Sequence, residues 1–372
     1  MKILITGDFC PINRADINKV DAKKLLCKDF QDLLKQTDIK ITNLECPLTN
    51  NSEAIIKTGP ALKSDPDNVK LITEMGFNLL TLANNHIMDY GSKGLKDTLE
   101  ILNGNNIEYV GAGNIKDEID VIYKTKDDIT VAIINVCENE WSTDVRDNFA
   151  ANGFSEIKMF YTIKKAKQNA SKVMVIHHGG HEMYNLPSPR LKEALRFFVD
   201  CGADAVINHH THCVGGYEIY NKAPIFYSLG NFIFDVPAQR NSIWNYGMGV
   251  VLSISQDDIS FNNFYFSQFN EAAKVEILPK QELLYAVDEL NNIIKDDIKL
   301  EQEYTKFVNT KKRMYNAFLE PIKSRYILAF INRKWLPSIW HSRKKLYLKN
   351  LITCESHREI VKSILQNETS QQ

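Results

Sequence analysis

This sequence gathers neither its thiols nor its apolar residues into one place and carries no overall excess of cations, and each absence removes a class of function. Seven cysteines stand at positions 10, 27, 46, 137, 201, 213 and 354, an odd number with no CxxC pair. Their spacing therefore contains neither a disulfide framework nor a thiolate cluster for structural zinc. Reduced thiols in a cytoplasmic protein are the expectation. Lys and Arg total 45 against 46 Asp and Glu, a formal net charge of -1; with no global basic excess, nucleic acid is not expected as a partner. No apolar run approaches membrane-spanning length. The opening MKILITGDFC enters a strand-like run without a charged n-region, a long apolar h-region or a small-residue cleavage site, so no secretory signal is expected. Internal repeats and low-complexity segments are also missing.

What is present is an ordinary globular composition, 44% hydrophobic and 24% charged over 372 residues, enough for one large domain with an appendage or for two domains. The runs KILIT, DIKIT, FNLLTLA, ITVAIINV, KVMVIH, ADAVIN and PIFYSLG read as strands, several of them buried on both faces. Between them, 20–36, 66–75, 92–104, 155–169 and 189–201 carry apolar residues at helical spacing, and DPDNVKLITEMG closes on Gly76 as a helix does. The class is α/β. YGMGVVLSIS and ISFNNFYFSQF read as an antiparallel pair finishing a sheet. The boundary expected from the change in pattern divides 1–270 from a helical extension over 271–372. Between Lys306 and Lys349 that extension holds many Lys and Arg against one acid, Glu320, interleaved with Tyr315, Phe318, Tyr326, Phe330, Trp335, Trp340 and Tyr347.

The unusual polar residues fall where these strands stop, which is where open α/β sheets place ligands. Asp8 follows KILIT, Asn43 and Glu45 close DIKIT, and Asn84, Asn85 and His86 follow LLTLA. His177 and His178 end VMVI, His209, His210 and His212 end AVI, and Asn231 follows FYSLG. Each has an ordinary alternative. Asp8 could cap or turn the chain, Asn84 and Asn85 could form a turn, and one imidazole of HHGGHE could merely hydrogen-bond its loop. Glu45 is harder to set aside, because an acid in a largely apolar run is costly to bury alone. In NHHTHC, His210 and His212 share one side if the backbone stays extended. Carboxylates, a carboxamide and imidazoles together suit a divalent Mn, Fe or Zn, and a ring of them suggests two ions.

The motifs GDF, TNLECPLT, LANNHIMDYG, HGGHEM, NHHTHC and YSLGNFIFD, in that order over residues 3 to about 266, resemble those of the CapA family of capsule and poly-γ-glutamate synthesis proteins, a branch of the calcineurin-like metallophosphoesterases. The resemblance implies a four-layer αββα sandwich with a dinuclear metal site at the loops after the strands. It implies Asp8, Glu45, Asn85, His178, His210 and His212 as metal ligands, with Glu45 in the bridging place, and His86 as the histidine that faces substrate. Glu182 aligns with an acid four residues after the ligand histidine. Asn231 is read as holding substrate or fixing its loop, and His209 as a neighbour of the ligands. Three positions depart from the family pattern: Gly179 where tryptophan is frequent, Asn208 where glycine is usual, and Cys10 where many relatives in the wider superfamily carry histidine. Cys10 thus becomes an additional candidate ligand.

The chemistry expected from such a site is hydrolysis by a water made nucleophilic between two metals, with His86, hydrogen-bonded by Asp89, protonating the leaving oxygen. The leading expectation is a metal-dependent phosphoesterase-type hydrolase in capsule, exopolysaccharide or poly-γ-glutamate biosynthesis, acting on a phosphorylated or polyanionic glycan or polymer. A γ-glutamyl amide hydrolase on the same scaffold, and a non-catalytic polymer-binding accessory protein, are the alternatives. The stretch 306–349 could contact a membrane surface or a synthase complex, which would put a cytoplasmic protein at the inner face of the membrane.

Overall fold

The structure is a computed structural model that describes residues 1–319, 326, 330, 333–336 and 342–369. Two sheets pack face to face, with helices over both outer surfaces. The first runs from edge to edge through Val275–Leu278, Ile259–Gln268, Tyr246–Ile254, Lys2–Cys10, Ile39–Leu44, Leu79–Thr81 and Glu108–Val110, with Asn231–Phe234 paired alongside Lys2–Cys10. The second runs through Tyr217–Tyr220, Ala223–Phe226, Ala205–His209, Lys172–His178, Ile129–Cys137 and Val121–Lys126. This is the four-layer αββα sandwich.

Alternation within each strand makes the layers. Ile3 and Ile5 point between the sheets, where they meet Ile133, Ile176 and Ile207 of the second sheet. Leu4 points outward to Phe30, Leu71 and Leu95 on the covering helices. On the far side Ile134, Val175 and Val206 face Met159, Ile163, Leu195 and Phe198 of helices Glu156–Asn169 and Pro189–Cys201. Local chemistry sets where these helices begin and end. The Ser155 and Ser188 side chains accept from Lys158 N and Leu191 N, Pro189 opens its helix, and Gly202 closes it at φ +119°.

The antiparallel pair Tyr246–Ile254 and Ile259–Gln268 is as expected. The stretch 20–36 is not one helix: Ala22–Leu25 and Lys28–Lys35 are separated where Leu26 bridges Val275 and Cys27 N donates to Val275 O at 3.0 Å. A sheet-edge hydrogen bond there overrides the helical period. Beyond residue 280, among the described residues, helices run over Val287–Lys295, Asp297–Leu319, Ser342–Thr353 and Glu355–Thr369. Val287 enters the core between the sheets, and Leu290, Ile294 and Leu300 pack on the outer face of the second. Tyr304, Val308, Tyr315, Leu351, Ile360 and Ile364 form a cluster of their own. Along 306–349, Tyr326, Phe330 and Trp335 are exposed, whereas the Phe318 side chain, Glu320 and Trp340 lie outside the described residues. No helix among the described residues is long and apolar enough to cross a membrane.

Lys2–Cys10, Ile39–Leu44 and Leu79–Thr81 are parallel, as are Ile129–Cys137, Lys172–His178 and Ala205–His209. Parallel pairing sends their carboxyl ends to one edge of each sheet. Register then sets the neighbours: Asp8 lies opposite Asn43 and Asn231, and His178 opposite His209 and Cys137.

Candidate metal centre

The ligand-type atoms of Asp8, Glu45 and His212 all lie within 4.8 Å of one another, and so do those of Glu45, His178 and His210. The two groups share Glu45. Its Oε1 is 3.6 Å from His178 Nε2 and 3.6 Å from His212 Nε2. The side chain is fully buried, yet neither carboxylate oxygen has a hydrogen-bond partner among the described residues. Burial and the neighbouring Asp8 charge push the carboxyl well above its ordinary range. A pair of unsatisfied buried carboxylate oxygens is costly unless a cation completes them. The donor set fits divalent ions on that ground: carboxylate, imidazole and carboxamide, with Glu45 common to both groups.

Surrounding residues hold these side chains. Asp8 Oδ1 accepts from Asn43 Nδ2 at 2.7 Å, and Asp8 Oδ2 accepts from His210 N at 3.1 Å. His212 Nδ1 lies 2.9 Å from Asn231 Oδ1; the amide oxygen accepts, so the ring proton belongs on Nδ1 and the Nε2 lone pair turns toward Glu45. His178 Nε2 is 3.0 Å from Asn85 Oδ1 and 3.1 Å from His210 Nδ1. Burial, followed by the neighbouring histidine rings, pushes His178 well below the usual imidazole range, which favours the neutral, ligating form.

His210 and His212 do not reach their places along an extended backbone. The strand ends at His209, and φ is +90° at His210 and +55° at His212. Left-handed geometry at two non-glycine residues is strained. That turn, rather than strand alternation, sends the two rings to different groups around Glu45. Asn84 is a turn former: its Oδ1 accepts from His86 N and Ile87 N, and its Nδ2 donates to Leu44 O. Asn85 is thereby turned to His178.

His86 stands beside the two candidate groups on the cleft wall. Its Nδ1 is 2.6 Å from Asp89 Oδ2, whose partner oxygen accepts from Lys57 Nζ at 2.5 Å. Lys57 is nearly buried and also lies 3.3 Å from His86 Nδ1. Sequence reasoning missed Lys57, because a lysine in an irregular stretch before a Gly-Pro turn has no periodic signal. Glu182 lines the cleft with Asn85, His86 and His210.

The remaining candidates lie elsewhere. Cys10 packs with Cys46 in the apolar layer under the helices and is outside both ligand groups. His209 is buried near the Thr6 backbone and pushed down to about 3 by burial. His177 turns to the opposite face, where Nδ1 is 2.6 Å from Asn208 Oδ1. The departures have local causes. A Cβ at Gly179 would sit 2.5 Å from Glu138 Cγ and 2.6 Å from His177 Cε1, so Glu138 occupies the space a larger residue would need. Asn208 Nδ2 donates to Gly179 O and Tyr227 O, bonds that a glycine could not make.

The cleft over these groups has a volume of about 250 Å³, and its outer wall comes from the C-terminal helices through Phe307, Lys311, Tyr315, Asn350, Cys354 and His357. That wall lies outside residues 2–236, the span matched by the family model. The family model described as bacterial capsule synthesis protein PGA_cap matches residues 2–236. The capsule biosynthesis protein CapA of Bacillus anthracis is 34% identical over 212 residues, 54% of this chain and 52% of that one. The PGA biosynthesis protein CapA of Bacillus subtilis (strain 168) is 33% identical over 239 residues, 59% of this chain and 60% of its own. The chain thus spans just over half the length of these curated relatives. Among solved structures, the sulfate thiohydrolase SoxB of Thermus thermophilus aligns over 74% of this chain and 46% of its own, at 13% identity and a TM-score of 0.41. With the family match covering Asp8, Glu45, Asn85, His178, His210, His212 and Asn231 in a single span, the chain belongs to the CapA family of bacterial capsule and poly-γ-glutamate synthesis proteins.

Proposed function

We propose that this chain is a metal-dependent hydrolase of the phosphoesterase type, holding two divalent ions through Glu45 and serving capsule or poly-γ-glutamate synthesis. The observation that carries the reading is the sharing of the partnerless Glu45 carboxylate by two ligand groups. Asp8 and His212 would hold one ion, and His178 and His210, joined by Asn85, the other. Bound there, Mn, Fe or Zn ions would supply Lewis acidity and a water activated near neutral pH.

The chain's own residues supply the rest. Asp89 fixes the His86 ring, with the proton on Nδ1 directed at the carboxylate and Nε2 left for the cleft, while Lys57 balances the Asp89 charge. His86 is then placed to hold or pass a proton at the leaving group. Lys311 adds a cation to a cleft that Glu140 and Glu182 also line, so a phosphate or another anionic group would be held chiefly by the two ions together with Lys311. The proposed partner is accordingly a phosphorylated or polyanionic glycan or polymer end.

Metal analysis after manganese reconstitution, together with turnover of p-nitrophenyl phosphate, bis-p-nitrophenyl phosphate and a γ-glutamyl amide, tests this function. Turnover of a phosphoester with bound metal is expected. Cleavage of the γ-glutamyl substrate alone would transfer the same site to amide hydrolysis. Metal below one equivalent with no turnover of any substrate would sink the hydrolase reading.

A further inference from the structure

A second metal-type cluster lies on the opposite wall of the same cleft. Glu140 follows the Ile129–Cys137 strand, Cys354 separates helices Ser342–Thr353 and Glu355–Thr369, and His357 stands in the first turn of the latter. Their carboxylate, thiol and imidazole atoms all lie within 4.8 Å of one another. Glu140 Oε1 is 3.6 Å from His357 Nε2, and the other ring nitrogen is 2.6 Å from Tyr315 Oη. Tyr315 therefore fixes the ring with Nε2 facing the acid.

Asn350 supplies an independent observation. One helical turn before Cys354, it lines the same wall with a residual exposure of 8%, and its Oδ1 has no hydrogen-bond partner among the described residues. A Glu140–His357 ion pair alone would leave that buried oxygen unsatisfied. The Cys354 thiol, beside Glu140, has only a long 3.9 Å hydrogen bond to donate among the described residues, to Glu138 Oε2. A cation among the four would satisfy the Asn350 oxygen and take the Cys354 sulfur as a ligand.

We propose that Glu140, Cys354 and His357, completed by Asn350, form a separate mononuclear site for a zinc-type divalent ion that clamps the C-terminal helices to the rim of the cleft. A thiolate with imidazole and oxygen donors selects a borderline ion over magnesium or calcium. Binding forms an ion–sulfur and an ion–nitrogen bond, and the Cys354 thiol proton and the His357 Nε2 proton of the ion pair are released to solvent through the cleft. The clamp unites a loop of the sandwich with helices outside the family-matched residues. It stands independently of the Glu45 centre.

Cobalt(II) titration of the full chain, stripped of metal by chelation, tests the site, because only a thiolate ligand gives an intense near-ultraviolet sulfur-to-cobalt charge-transfer band. The Glu45 centre has no thiolate. Wild type should develop the band. Cys354→Ser should lose it together with one equivalent of bound cobalt, and His357→Gln should weaken it. Glu45→Gln should keep it, which separates this site from the function proposed above. Absence of the band in cobalt-loaded wild type would overturn the proposal, as would its persistence in folded Cys354→Ser, since another cysteine would then be the ligand.

Discussion

Asn231 Oδ1 lies 2.9 Å from His212 Nδ1, and this one contact sets which nitrogen of the ring faces Glu45. Asn231→Leu removes the acceptor while nearly keeping the volume, so the ring can rotate or change tautomer. Manganese affinity should fall by about 10- to 100-fold, the usual effect of losing a ligand's orienting partner. Isothermal titration would measure it; unchanged affinity would make Asn231 a loop residue only.

Glu45→Gln should separate folding from metal binding. In metal-free protein the variant should be more stable than wild type by about 1–3 kcal/mol, because it removes a buried charge-bearing group without partners beside Asp8. With manganese the order should reverse, since only wild type gains linkage stabilisation. Thermal melts with and without chelator would show the crossing.

His86→Ala should abolish turnover, by about 10²- to 10⁴-fold, and leave metal content nearly intact, since its ring is outside both ligand groups. Lys57→Met should lower turnover with metal retained, through the loss of the cation that faces Asp89. Metal loss in either variant, read by elemental analysis, would reassign the residue to the ligand shell.

Asp235 anchors the loop after the first strand through Arg14 and Arg240, with contacts of 2.9 Å to each. Burial of Asp235 opposes its ionisation, but its bonds to Arg240 and Arg14 prevail and hold its carboxyl below the ordinary 3.8. The unfolded chain therefore takes up the proton first as pH falls, so this stabilisation is complete above 3.8 and is lost below it. Asp235→Asn should cost about 2 kcal/mol at neutral pH. The gap from wild type should close in acid, as denaturant melts across pH would reveal.

Much of this protein is legible in one dimension because its chemistry is tied to strand ends. Asp8, Glu45, Asn85, His178 and the 210/212 histidines could be picked out, since buried parallel strands read as apolar runs and polar residues interrupt them at their carboxyl ends. The same period placed the two antiparallel strands near the C-terminal end of the first sheet. Short strands such as Glu108–Val110 and Tyr217–Tyr220 were invisible, because three or four residues cannot establish a period.

The sequence alone therefore determined the class of fold, the family, and the roster of ligand-type side chains, because these depend on local periodicity and residue chemistry. Only the tertiary structure decided how the roster divides. Left-handed turns at His210 and His212 split the two rings between ligand groups, and register brought Asn231 beside Asp8. Chain folding carried Lys57 to Asp89, and Cys354 and His357 to Glu140 across more than two hundred residues. Such contacts leave no trace in local spacing, because they arise only when separate elements bury a common surface.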